Sequence, residues 1–147
     1  LLFPRRNSRQ AENKFSNEII FSKKFSPWIP PPDGFKFDIP LVHRVFEFHK
    51  KIYLTSGKIS KKDRFGIWLK IENICLEIIN HIIAASFESK TAKFSFLSSA
   101  RIKTEVLKKF IRISEELRII ENKRYLIFES DLQEISRMVN GWIKYLK

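Results

Sequence analysis

The chain has 147 residues, 44% hydrophobic and 30% charged, which suits one domain with a buried core. Its 28 Lys and Arg against 16 Asp and Glu give a net charge of +12 and a pI near 10, which points to a polyanionic partner: nucleic acid, an anionic membrane surface or an acidic protein. A single cysteine, Cys75, excludes an internal disulfide framework, and apolar runs of a few residues fall far short of the ~20 that span a bilayer.

Residues 1–37 differ from the rest. They hold five of the six prolines, including "PWIPPPDG" (27–34), and seven basic residues against three acidic. Proline-rich sequence favours extended, polyproline-like backbone. The composition predicts a basic, partly disordered arm, either a passive tail or one pinned to the domain through Phe21, Phe25, Trp28 and Phe35. No apolar core in it ends at a small-residue cleavage site, so no secretory signal is expected. The opening Leu1 suits a processed or incompletely predicted product. With one cysteine, a reducing, cytoplasmic setting is the expectation.

From 38 to 147 hydrophobic periodicity predicts four helices. The first covers about 39–55, with Val42, Phe46, His49 and Tyr53 as its seam, and "TSGKISKKD" (55–63) is the turn after it. The second covers about 61–88, with Trp68, Ile71, Cys75, Ile78 and Ile82 as its seam. It carries a second apolar row, Leu69, Leu76, Ile83 and Phe87, about 100° round from the first. That row meets either a neighbouring helix of the same chain or another subunit. The third helix covers about 91–118, through Ile102, Val106, Phe110, Ile113 and Leu117. After "IIENKR" (119–124), the fourth covers about 123–146, through Phe128, Leu132, Ile135, Val139, Trp142 and Leu146. Short turns between amphipathic helices predict an all-α, antiparallel up-down four-helix bundle.

No catalytic constellation stands out, so the expectation is no enzyme, no cofactor and no metal. Phosphate-loop, dinucleotide-fold, H-E-x-x-H and C-x-x-C patterns are missing. His43 and His49, six residues apart, cannot chelate as a local helical pair; His49 falls in the predicted seam, and His81 lies beside one. Cys75 sits in a seam, where it acts as a small apolar residue. Glu115, Glu116 and Glu121 form a local acidic patch near a helix end.

The basic residues are more informative. The stretch 43–70 contributes Arg44, Lys50, Lys51, Lys58, Lys61, Lys62, Arg64 and Lys70. On the third helix Lys90, Arg101, Lys108 and Arg112 fall within about 40° of one another, opposite the Ile102–Phe110–Leu117 stripe. Such patches bind phosphates through charge rather than base identity. A solvated face is the plainer alternative. Membrane binding is not expected, because the apolar faces are needed for the core.

The ending "EISRMVNGWIKYLK" (134–147) resembles the I-x-R-M-L-x-G-W-I/L ending of the accessory proteins of diversity-generating retroelements, Avd, matched by Ile135, Arg137, Met138, Val139, Gly141 and Trp142. These belong with the small bundle proteins of ribosomal RNA intervening sequences. "LVHRVFEFHKKIYLTSGKISKKDRFGIWLKIENICLEIINHIIAA" (41–85) and "SFLSSARIKTEVLKKFIRISEELRIIENKRY" (95–125) are also similar to that family, in the same order. The resemblance implies a basic, ring-like homopentamer. It further implies binding to a reverse transcriptase and to template RNA, with cDNA as a further candidate ligand. The enzyme, not the bundle, then performs mutagenic copying. A second reading keeps the fold but not the retroelement: an intervening-sequence-type bundle with a general RNA- or protein-binding role. The arm at 1–37 departs from the family pattern.

Gly141 lies about 180° from Leu132, so it should face away from the seam while Trp142 points in. An outward glycine lets another backbone or a phosphate approach closely. It marks either a subunit or partner contact, or simple tolerance near a fraying helix end.

Overall fold

A computed structural model describes residues 39–147. The arm at 1–37 and its aromatic residues lie outside the described residues. Helix α1 is Pro40–Ser56. Helix α2 covers 61–87 in three stretches: an α-helical turn Lys61–Asp63, a π-helical stretch Arg64–Trp68 and an α-helix Leu69–Phe87. Helices α3 and α4 are Lys90–Glu116 and Asn122–Leu146. Short turns make consecutive helices antiparallel, and α1 also packs on α4, so the four close into an up-down bundle. No strand occurs among the described residues.

Local chemistry sets the helix ends. Pro40 stands in the first turn of α1, where its missing N–H costs nothing. Ser60 caps α2: its Oγ accepts from the Asp63 N–H at 3.4 Å and donates to Asp63 Oδ2 at 2.9 Å. At the end of α3, Arg118 N–H donates to Glu115 O and Ile119 N–H to Ser114 O, closing a Schellman motif. The left-handed position of that motif, φ 57°, belongs to Arg118 rather than glycine.

The core row of α2 is the predicted one, with Trp68, Ile71, Cys75, Ile78 and Ile82 all buried, and so is that of α4 from Phe128 to Trp142, with Leu146 partly buried. Phe128 holds three helices together, edge-on to Phe48 of α1 at 5.7 Å and tilted against Trp68 of α2 at 6.3 Å.

Two predicted seams are corrected. On α1 the buried residues are Leu41, Val42, Val45, Phe48, Ile52 and Thr55; of the predicted seam Val42 is buried, while Phe46 and Tyr53 are exposed and His49 is only half-buried. On α3 the buried row is Leu97, Ala100, Thr104, Leu107, Ile111 and Ser114. The large residues Ile102, Val106, Ile113 and Leu117 are exposed, and Phe110 is partly buried. Small residues let α3 lie close to its neighbours, and the buried hydroxyls cost little because each bonds inside its own helix. Thr104 donates to Ala100 O at 2.8 Å, Ser114 to Phe110 O at 2.9 Å and, on α1, Thr55 to Lys51 O at 2.7 Å.

Candidate nucleic-acid and assembly surfaces

Eleven of the twelve cations named from sequence, all but the exposed Lys70, separate into two groups once their neighbours are known. Arg44 pairs with Glu134 and Lys51 with Asp131 at 2.6 Å, tying α1 to α4; Arg124 of α4 adds a bond to Thr55 Oγ1 at 2.8 Å. Lys50 pairs with Glu47 within α1 at 2.6 Å. The Arg64 guanidinium donates to Ile59 O at 3.0 Å and braces the turn.

The proposed face of α3 is largely neutralised in place. Lys108 pairs with Glu105 at 2.8 Å and its side chain is only 14% exposed. Its hydrogen bond holds the Glu105 carboxyl below the usual glutamate range, with help from Ser136 of α4 at 3.1 Å. Arg112 pairs with Glu116 at 3.0 Å, which pushes its guanidinium further towards the charged form. The remaining five, Lys58, Lys61, Lys62, Lys90 and Arg101, are exposed and have no ion pair among the described residues.

Three of those five, Lys58, Lys61 and Lys62, crowd the α1–α2 turn. Its backbone is fixed from both sides. Ile59 is buried, Ser60 caps the next helix, and Trp68 Nε1 donates to Ile52 O at 3.0 Å. The turn therefore presents, on a braced backbone, cations with no ion pair among the described residues, which keep their attraction for an external phosphate.

The second apolar row of α2 stays partly exposed: Leu69, Leu76, Ile83 and Phe87 are 37–50% exposed. The α3 stripe is a further uncovered row, unforeseen because those residues were placed in the core. Between α3 and α4, a shallow groove of about 490 Å³ is lined by Arg101, Ile102, Glu105, Val106, Lys109 and Asn140. Gly141, next to Asn140, is half-buried, and Trp142 is buried as predicted. Exposed apolar rows of this kind are candidate contact surfaces.

Burial pushes the Cys75 thiol well up, away from thiolate. Among the described residues, no group of three or more His, Cys, Asp or Glu is placed to hold a metal ion. No helix among them is long and apolar enough to cross a membrane. The His81 ring lies tilted against Phe96 at 6.1 Å, near the Lys103–Glu77 pair that bridges α2 and α3.

No curated protein matches the chain. A family model described as bAvd-like matches residues 40–146, the whole of the bundle from its first proline to its last turn; the chain belongs to the bAvd-like family.

Proposed function

We propose that this chain is a non-enzymatic accessory subunit of a diversity-generating retroelement. In this reading it binds the reverse transcriptase and the template RNA, and so supports mutagenic cDNA synthesis by that enzyme. It acts as a homo-oligomer, a pentamer by family resemblance. Family membership supports the accessory role. The observation that carries the nucleic-acid part is the α1–α2 turn, where Lys58, Lys61 and Lys62 stand exposed and unpaired on a braced backbone. The uncovered rows on α2 and α3 support assembly, since self-association removes apolar surface from water.

Reconstitution tests this reading. The chain is co-expressed with the reverse transcriptase and repeat RNA of its own locus, and the complex is purified through a tag on the bundle. The expected result is a complex holding both partners. Recovery of RNA without any reverse transcriptase would favour the intervening-sequence-type alternative, and recovery of neither would contradict the proposal.

A further inference from the structure

The basic turn also carries aromatic rings. Tyr53, in the last turn of α1, is 64% exposed, and Phe65, at the start of α2, is 65% exposed. They flank the turn that holds Lys58, Lys61 and Lys62. Residues three apart on a regular helix share a face, so Phe65 would ordinarily follow Trp68 into the core. It does not, because the Arg64–Trp68 stretch is π-helical and Gly66 leaves helical geometry there, at φ −101° and ψ −112°. That irregularity turns the Phe65 ring outward while Trp68 stays fully buried. The hydrogen bond from Trp68 to Ile52, the residue before Tyr53, keeps both ring carriers on one fixed scaffold.

We infer that the α1–α2 turn is a stacking site for unpaired nucleotides, with Tyr53 and Phe65 taking bases and Lys58, Lys61 and Lys62 taking the flanking phosphates. This rests on the nucleic-acid reading above and narrows it to single strands. Charge complementarity selects the occupant, because the turn that the two ring carriers flank in the chain holds three exposed cations with no ion pair among the described residues. A duplex offers that surface only its phosphates, since its base faces are already stacked. A single strand offers both phosphates and base faces, and base–aromatic stacking is tolerant of sequence.

The test uses the full chain and fluorescence anisotropy with a labelled oligouridine and an RNA duplex of equal length. Tyr53→Leu/Phe65→Leu keeps bulk and removes the ring faces; Lys58→Gln/Lys61→Gln/Lys62→Gln removes the charges. The double Leu variant should bind oligouridine at least about tenfold more weakly, with duplex affinity and salt slope at wild-type values. Tyr53→Phe should bind as wild type. An equal loss on both probes, or no loss on either, overturns the stacking site. So does a change in particle mass by light scattering in the double Leu variant, which would place the rings in a subunit contact. If the Gln variant weakens both probes while the Leu variant weakens neither, the charge reading stands and the stacking inference alone fails. If the Gln variant binds both probes as wild type, the nucleic-acid reading of this turn fails as well.

Discussion

The indole Nε1 of Trp68 donates to the backbone carbonyl of Ile52 at 3.0 Å, and both residues are fully buried. The bond crosses from α2 to α1 directly beneath the basic turn, so the packing of the core and the placement of the surface cations share one anchor. A buried indole N–H without a partner would be costly, and here the helix carbonyl supplies one.

Trp68→Phe should therefore destabilise the bundle by about 1–3 kcal/mol, from the lost hydrogen bond and the space left by the smaller ring. Urea denaturation followed by circular dichroism measures it. A midpoint equal to wild type would mean that the indole bond contributes nothing net.

Arg118 offers the opposite case. Its φ of 57° closes the end of α3 in a conformation that costs a side-chain-bearing residue roughly 1 kcal/mol. Arg118→Gly should raise stability by a few tenths to about 1 kcal/mol, the gain being offset in part by the greater freedom of glycine in the unfolded chain. A lower melting temperature in the glycine variant would show that the arginine side chain stabilises the turn by more than its backbone costs.

His81 should report on its surroundings through pH. Partial burial, followed by the nearby Lys103 charge, lowers its pKa, while Glu77 opposes the shift. A histidine lowered in the folded state binds fewer protons there than in the unfolded chain. Its contribution to stability is therefore greatest above the unfolded pKa of about 6.5 and declines as pH falls below it. An NMR titration should give a His81 midpoint below that value, and Lys103→Gln should move it up. A midpoint at or above about 6.5 in the wild-type protein would contradict this.

Much of this architecture was legible in the sequence, and the parts that were not have physical reasons. The α2 and α4 rows were readable because large apolar residues occupy the buried positions, Trp68 to Ile82 and Phe128 to Trp142. On α3 the large residues are outside and the buried row includes Ala100, Thr104 and Ser114. Periodicity weighted by hydrophobicity selects Ile102 to Leu117 and so finds an exposed row in place of the core. The α1 seam slipped by one residue for a related reason, since Phe46 and Tyr53 are aromatic yet exposed. The cations were visible as a count, but their availability was not. Nothing local in the sequence ties Arg44 to Glu134 or Lys51 to Asp131, which are brought together only by the α1–α4 packing. The bend at Gly66, and with it the outward turn of Phe65, likewise leaves no mark in the hydrophobic pattern, which continues through Trp68.

The uncovered rows should hold copies of the chain together. Leu76→Glu on α2 or Val106→Glu on α3 places a charge in an exposed apolar row without touching the core. Light scattering should show an oligomer for wild type and smaller particles for each variant, with helical content unchanged. A wild-type monomer at micromolar concentration would refute the assembly proposal. Variants that stay at wild-type mass would place the contact elsewhere.

The central claim is that the chain binds nucleic acid through unpaired charge at the α1–α2 turn, and a salt series of binding constants tests it most directly. Each phosphate contact contributes about −0.7 to −0.9 to the slope of log K against log salt. Wild type should show a steep slope. Lys58→Gln/Lys61→Gln/Lys62→Gln should weaken binding and flatten the slope by roughly 2–3, the sum for three contacts. Arg101→Gln/Lys108→Gln/Arg112→Gln should flatten it by only about one contact, because Lys108 and Arg112 are already held by Glu105 and Glu116. Wild-type affinity and slope in the turn variant would contradict the account, and would leave the charge of the turn to serve some other acidic partner.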